Sequence, residues 1–168
     1  ISFDPNIRLP LWSSAEACQE TVREFLPDAD LVKLSDEECF FVTGKHSILD
    51  AADWLFEQGC KMVLYSMGKE GAMILTPHFS SHVENPEVRV KDTTGAGDAI
   101  IGAYLYCLAK NHITVSQLAD CLPEQVQEWL TFAVYYANYS ITKSGAIASY
   151  PDYTTFVKWM QEKRKKAH

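Results

Sequence analysis

Asp98 stands at the end of a glycine-rich turn, in the stretch VRVKDTTGAGDAIIGAYLYCLAK (residues 88–110). Gly95, Ala96 and Gly97 carry almost no side-chain bulk, so their backbone N–H groups are open to close approach by an anion. The apolar segment AIIGAYLYCLA that follows has the pattern of a buried helix. Its first amides and the positive end of its dipole favour negative charge at the same place. A carboxylate beside such a cradle repels an anionic ligand unless it serves the reaction, and accepting the proton of an attacking hydroxyl is one such service. A structural explanation competes, because Asp is favoured in a first helical turn and glycine turns before helices are common. On these residues alone the structural explanation is favoured, since short glycine patterns recur by chance. Two phosphate-loop motifs are excluded: no Gly-Lys-Ser/Thr closes the loop, and Ile100 stands where a dinucleotide fingerprint needs glycine.

The surrounding pattern sets expectations for the elements that position this turn. ISF, DLVKL and KMVLYS read as strands, separated by helical patterns in SSAEACQETVREFL, SDEECFFVTG and SILDAADWLFEQG. Ser13 and Glu16 have capping-box spacing, as do Ser35 and Glu38; Ser47 reads as a helix start, and Gly44 and Gly59 as stops. MGKEG is a tight turn into AMILT, a hairpin or close strand pair, and VENPEVRVKD reads as one more strand. Helices are expected over 98–110, 123–142 and 153–166, with KSGAIASYP as the loop between the last two. Strands alternating with helices predict a mainly parallel sheet with helices on both faces, and ligands beyond the carboxyl ends of the strands.

Composition narrows the function classes. The 168 residues suit one domain, and the formal net charge of −7 lacks the broad basic face that nucleic-acid binding needs. The basic run EKRKKAH at the C-terminus fits a helix end, where cations are favoured. No apolar run reaches the roughly 20 residues needed to span a bilayer. Five well-separated cysteines form no C-x-x-C pair, so a reduced, cytoplasmic protein with buried thiols is expected. His78 and His82 are four apart in a segment without helical pattern, and a loop or edge strand is expected there rather than a metal site.

Several segments, in order, carry a resemblance. DTTGAGDAIIGA closely resembles the C-terminal signature of the ribokinase-like (PfkB) carbohydrate kinases, D-T-x-G-A-G-D-x-F-x-G. FDPNIRLPLW resembles the D-x-N-x-R segment of the fructokinases within that family. DLVKLSDEECFFVTG resembles the segment around N-x-x-E, YSMGKEGAMI the T-x-G-x-x-G strand turn, and ANYSITKSGAIASYP the segment near the adenine site. The resemblance implies a three-layer αβα fold, and ATP-dependent phosphorylation of a sugar hydroxyl, D-fructose to fructose 6-phosphate above all. Another sugar or nucleoside kinase of the family, or a non-catalytic nucleotide-binding module, are the alternatives.

Residue roles follow from the resemblance where the motifs match. Asp98 is the implied general base, with Gly95, Ala96 and Gly97 as the anion hole for the transferring phosphoryl group. Arg8, with Asp4 and Asn6, is implied to meet the phosphates or the phosphorylated end of the sugar. Ser66, Gly68 and Gly71 are placed near the ATP phosphates and ribose, and Asn138 near the adenine. Glu38 is implied to organise Mg²⁺ through water, while Ser35 replaces the family's Asn and leaves the metal role of that position open. Lys33 has two readings, one facing the phosphates and one as an exposed edge lysine. Asp92, Thr94, Gly145 and Ser149 match positions around the monovalent-cation site of K⁺-stimulated members. Family members are about twice this long, so residues 1–168 are expected to be the C-terminal, nucleotide-binding portion, without the half that carries the lid, most sugar contacts and often the homodimer interface. The chain opens on ISFDPN without an initiator Met, and a truncated piece of a longer protein is expected over a natural short homologue. Alone, it is expected to turn over little or no substrate.

Overall fold

Apolar runs bounded by helix signals build the sheet. In the computed structural model, which describes residues 1–166, strand β1 (Ser2–Phe3) precedes helix α1 (Ala15–Phe25) and strand β2 (Leu31–Ser35). Helices α2 (Asp36–Thr43) and α3 (Ile48–Glu57) lead to β3 (Met62–Ser66). A short turn at 68–70 connects it to β4 (Ala72–Leu75), and β5 (Ser80–Val83) follows. Three long helices complete the chain: α4 (Ala96–Lys110), α5 (Pro123–Ser140) and α6 (Tyr153–Lys166). Ala167 and His168, the end of the basic run, lie outside the described residues.

The five strands lie in sequence order. β1, β2 and β3 are parallel, whereas β4 and β5 return antiparallel. Successive strand residues face opposite sides, and the two faces fill two cores. Val32, Leu34 and Val63 pack with α1, α2 and α3. Leu31, Met62, Leu64 and Ile74 pack against α4 and α5 on the other side. The result is the expected three-layer arrangement, with α6 docked on α5 through Phe156, Met160, Tyr135 and Tyr139.

Three local expectations need correction. The cap of α1 is Ser14, whose Oγ accepts from the Ala17 amide; Ser14 is the extended residue (φ −158°), so the helix starts one place later than a Ser13–Glu16 box requires. Residues 84–93 form no strand. Pro86 cannot donate to a ladder, and the Lys91 and Asp92 amides bond instead to the Ile141 carbonyl at the end of α5, at 2.8 and 3.2 Å. The strand of this region is β5, which holds His82, while His78 lies in the turn before it. Helix α4 begins at Ala96 rather than at 98, because Gly95 already provides the left-handed turn (φ +77°) that reverses the chain into it. The Ser35–Glu38 capping box forms, and Gly44 ends α2 in the left-handed conformation. All five cysteines are free and buried. No helix among the described residues is long and apolar enough to cross a membrane.

Candidate active site

The turn into α4 presents donors. The Ala96 amide is used by the Thr93 carbonyl at 3.1 Å, and the Ala99 amide donates to the Gly95 carbonyl at 2.8 Å. The amides of Gly97 and Asp98 have no partner among the described residues. They are the orphan donors of a helix start, in the position where an anion is best received. Of the amides in a Gly95–Gly97 hole, only that of Ala96 is taken; the Gly95 amide, like those of Gly97 and Asp98, has no partner among the described residues. Helix α4 cannot shift easily, because Tyr104, Ala103 and Cys107 are packed in the core. Asp98 is exposed beside these amides, and its far side borders an apolar hollow floored by Gly102 and Ala103 and walled by Tyr136 and Tyr150.

Beneath the turn lies a buried ionic cluster. Lys33, on the α4 side of β2, is only 5% exposed. Its Nζ is 3.3 Å from the Asp4 carboxylate and 3.7 Å from Glu38 Oε2. A Cβ placed on Gly97 would come within 3.1 Å of the same ammonium, so Lys33 supports the anion turn directly from below. The exposed reading of this lysine is thereby excluded; its alternation with Leu31 on a strand was the available signal. Burial raises the Asp4 carboxyl above its ordinary value, and Lys33 only partly offsets this. Burial also pushes Glu38 up, but the Ser35 amide, the Lys33 charge and the Ile7 amide outweigh it and hold the carboxyl below its ordinary value. Each Glu38 oxygen accepts one of those amides, at 2.9 Å from Ile7 and 2.9 Å from Ser35.

These bonds also fix what the acidic residues can do. Asp4 is the counter-ion of Lys33. No group of three or more His, Cys, Asp or Glu side chains suited to a metal ion exists among the described residues. Each Glu38 oxygen is held by one backbone amide, which fixes the orientation of the carboxylate. Arg8 and Asn6 are exposed on the loop after β1. Arg8 donates to the neighbouring Ile7 carbonyl at 3.0 Å, and Asn6 turns the loop with φ +47°. Neither lines the cleft described next.

That cleft, of about 370 Å³, opens beyond the carboxyl ends of β2 and β3, where Ser35 and Ser66 are paired in register. Ser66, Gly68, Gly71 and Asn138 all line it, together with Ala96 and Gly97 from the anion turn. Ile100, Val134, Ala137 and Ile141 give it an apolar wall. Gly71 is required sterically, since a Cβ there would sit 2.0 Å from the Val83 carbonyl oxygen. Asn138 Nδ2 donates to the Val134 carbonyl at 2.9 Å and to Asn85 Oδ1 at 2.7 Å, and Asn85 Nδ2 donates to the Gly68 carbonyl at 2.8 Å. Asn85 also lines the cleft. Nothing in its Asn-Pro dipeptide beyond turn chemistry marks it out in the sequence.

Asp92, Thr94 and Gly145 also meet. Asp92 Oδ1 accepts from the Thr94 amide and hydroxyl at 2.9 and 2.6 Å, and Oδ2 accepts from the Gly145 amide at 2.8 Å. These bonds lower the Asp92 carboxyl to about 2. Ser149 donates to the Ala146 carbonyl at 2.6 Å within the same loop. The group braces the loop before α6 against the anion turn.

Comparison with known proteins agrees with this architecture. Residues 1–153 match the model of the "pfkB family carbohydrate kinase". The chain is 35% identical over 152 residues to fructokinase-2 of Solanum habrochaites, covering 90% of this chain and 45% of that protein. Among solved structures, fructokinase from Vibrio cholerae O395, a double mutant in a fructose-, ADP- and potassium-bound form, superposes with a TM-score of 0.81 at 31% identity, covering 95% of this chain and 49% of that one. Fructokinase from Xylella fastidiosa with bound ATP gives a TM-score of 0.88 at 27% identity, covering 96% and 51%. The chain spans about half the length of the relatives it matches. It belongs to the pfkB family of carbohydrate kinases.

Proposed function

We propose that this chain is the nucleotide-binding portion of a kinase that transfers the γ-phosphoryl group of ATP to the 6-hydroxyl of D-fructose. The observation that carries the proposal is the pair of unpartnered amides at Gly97 and Asp98, on the edge of a cleft with an apolar wall, beside an exposed carboxylate. In this reading the base lies against the apolar wall near Asn138, and the phosphates run past Ser66 and the 68–71 turn toward α4. The fructose 6-oxygen attacks the γ-phosphorus while the bond from that phosphorus to the β–γ bridging oxygen breaks and ADP departs. The hydroxyl proton passes to the Asp98 carboxylate. Transfer of this kind needs positioning and charge stabilisation more than covalent chemistry, and preorganised amides supply both.

Mg²⁺ enters with the nucleotide as part of the substrate, and Glu38 meets it through water. The cluster of Asp92, Thr94, Gly145 and Ser149 is the proposed place for a monovalent cation. Arg8 and Asn6 are assigned to the sugar side, where a second portion of polypeptide supplies the remaining contacts. The five buried free thiols support a reducing compartment, the cytoplasm.

Calorimetry with ATP–Mg²⁺, followed by ADP release measured with and without fructose and other sugars and nucleosides, tests the proposal. Binding of ATP with fructose-dependent ADP release in the polypeptide that includes the sugar contacts is expected. Preference for a different acceptor would replace the substrate assignment, and absence of ATP binding would remove the nucleotide reading altogether.

A further inference from the structure

We propose that residues 87–91 form a strand edge that takes up an extended acidic peptide, seated among Arg89, Lys91 and Lys163 with an apolar side chain on the Trp159 ring. The inference stands apart from the nucleotide reading and concerns a groove that shares no residue with the cleft.

The segment that joins β5 to α4 runs through residues 84–93 without a turn or bend. It is pinned at two places. The Lys163 ammonium donates to the Glu87 carbonyl, and the Lys91 and Asp92 amides donate to the Ile141 carbonyl. Between these ties the amides and carbonyls of Val88, Arg89 and Val90 have no partner among the described residues. Backbone N–H and C=O groups seek hydrogen bonds, and an unpaired row of them is a template for another strand. Val88 and Val90 bring β-branched side chains suited to a ladder, yet the sheet of five strands does not include them. Because both ends are tied, little backbone freedom is left to lose on pairing.

The surroundings specify the partner's charge. Residues 88–91 line a groove of about 640 Å³ together with Thr142, Trp159 and Lys163. Arg89, Lys91 and Lys163 have no ion-pair partner among the described residues. On a chain of net charge −7, three unpaired cations in one groove are a local exception, complementary to carboxylates. Trp159 adds an apolar contact. Its ring stands edge-to-face with those of Tyr139 and Tyr135, centroids 5.3 and 6.3 Å away, and Lys163 Nζ lies 5.7 Å from its centre. A ring held in this way suits the anchor of a recognition surface. A compact anion would engage the cations alone, leaving the backbone groups free and much of the groove empty. An extended peptide uses all three features: its backbone pairs with 88–90, its carboxylates meet the cations and an apolar side chain covers Trp159.

The test is calorimetric titration of the unaltered chain with a blocked peptide of about eight residues that alternates Glu and Val. Three further ligands accompany it: the peptide with Lys for Glu, the peptide with alternate backbone nitrogens methylated, and tripolyphosphate. Expected is saturable binding of the acidic peptide, with slowed hydrogen exchange in segment 87–91. The Lys peptide and the methylated peptide should each bind about tenfold more weakly or worse. The double variant Arg89→Ala, Lys91→Ala, checked by thermal melting, should weaken the acidic peptide by about tenfold as well. Equal binding of the methylated peptide would overturn strand pairing, and equal binding of the Lys peptide would overturn the charge assignment. Tripolyphosphate that binds as tightly as the acidic peptide and displaces it would make the groove a compact-anion site instead. No binding of the acidic peptide, or undiminished binding in the folded variant, would overturn the proposal. Binding to this chain but not to the polypeptide that includes the sugar contacts would replace the partner with the protein's own remaining portion. If the variant does not fold, the ligand series on the unaltered chain decides.

Discussion

The Tyr150 hydroxyl donates to the Gly95 carbonyl at 3.0 Å, across 55 positions of sequence. Gly95 is the residue that reverses the chain into α4, so the loop before α6 holds the anion turn by its one left-handed residue. The Asp92–Gly145 bond, over 53 positions, joins the same two loops a few residues away. Two long-range ties converge on a segment that must keep two amides aimed outward.

Tyr150→Phe removes the first tie while keeping the ring. A hydrogen bond of this kind contributes about 1 kcal/mol, so the melting temperature should fall by a few degrees. ATP affinity should fall as well, because the turn loses its aim. Affinity and melting temperature both unchanged would show that Tyr150 is incidental to the turn.

Gly95 and Gly97 should respond differently to a methyl group. At Gly95 the added Cβ would lie 2.8 Å from both the Ala146 Cβ and the Tyr150 hydroxyl, in a residue with φ +77°. Left-handed strain alone costs about 1–2 kcal/mol for an L-residue, and the overlap adds to it. Gly95→Ala should therefore destabilise the fold by several kcal/mol, on the order of 2–4. At Gly97 the nearest atom is the end of the flexible Lys33 side chain, at 3.1 Å, which can move aside. Gly97→Ala is expected to melt within about 1 kcal/mol of the parent chain while binding ATP more weakly, since the methyl group displaces the Lys33 ammonium that supports the turn. Thermal melts paired with ATP titrations separate the two cases, and equal destabilisation by both would contradict them.

Acid should release the Asp92 brace in a defined window. The Thr94 hydroxyl, the Gly145 amide and the Thr94 amide lower the folded carboxyl to about 2, from an ordinary 3.8. The unfolded chain then binds the proton more readily, so this contribution to stability is complete above the ordinary value and disappears as pH falls through the folded one. Asp92→Asn should be less stable than the parent chain at pH 6, and the gap should close between about pH 4 and pH 2. Melting curves across that range measure it. A gap independent of pH would mean that Asp92 works through shape rather than charge.

The sequence was a good guide where local signals and the tertiary structure agree. The Ser35–Glu38 box, the stops at Gly44 and Gly59 and the alternation of β2 and β3 are all satisfied within one or two elements. It failed over residues 84–93, where a β-like composition is overridden by the bonds of Lys91 and Asp92 to the end of α5. Within the candidate site, glycine types and spacing marked the turn, but not which amides stay free; that depends on the Thr93 carbonyl taking Ala96. Asn85 was hidden, and Lys33 kept two readings, for a related reason. Their positions depend on partners 29 and 53 residues distant, and a single sequence reports such pairings only through motifs.

Lys33 is expected to matter for stability as well as for anion binding. Replacing it by Met leaves the half-buried Asp4 and the buried Glu38 carboxylates beside each other without a cation. Breaking a buried pair in this way costs about 3–5 kcal/mol. Adding Asp4→Asn should restore part of the loss, because one of the two stranded charges is removed. Chemical denaturation of the two single variants and the double variant measures this coupling, and strictly additive effects would show that the Lys33–Asp4 contact carries little energy.

Asp98→Asn separates chemistry from binding. The substitution keeps the shape of the side chain and the backbone amide, and removes a negative charge from beside the phosphates. ATP should therefore bind at least as tightly, since repulsion between the carboxylate and the nucleotide is gone. Turnover should fall by about 10²–10⁴-fold, the usual contribution of a positioned general base. Asn cannot accept the hydroxyl proton, so raising the pH should not restore the rate. The measurement is fructose-dependent ADP release, in the polypeptide that supports it, beside an ATP titration of the same variant. A loss of ATP affinity matching the loss of rate would point to a binding role instead. Near-normal turnover would exclude Asp98 as the base and leave the amides of α4 as this turn's contribution to the reaction.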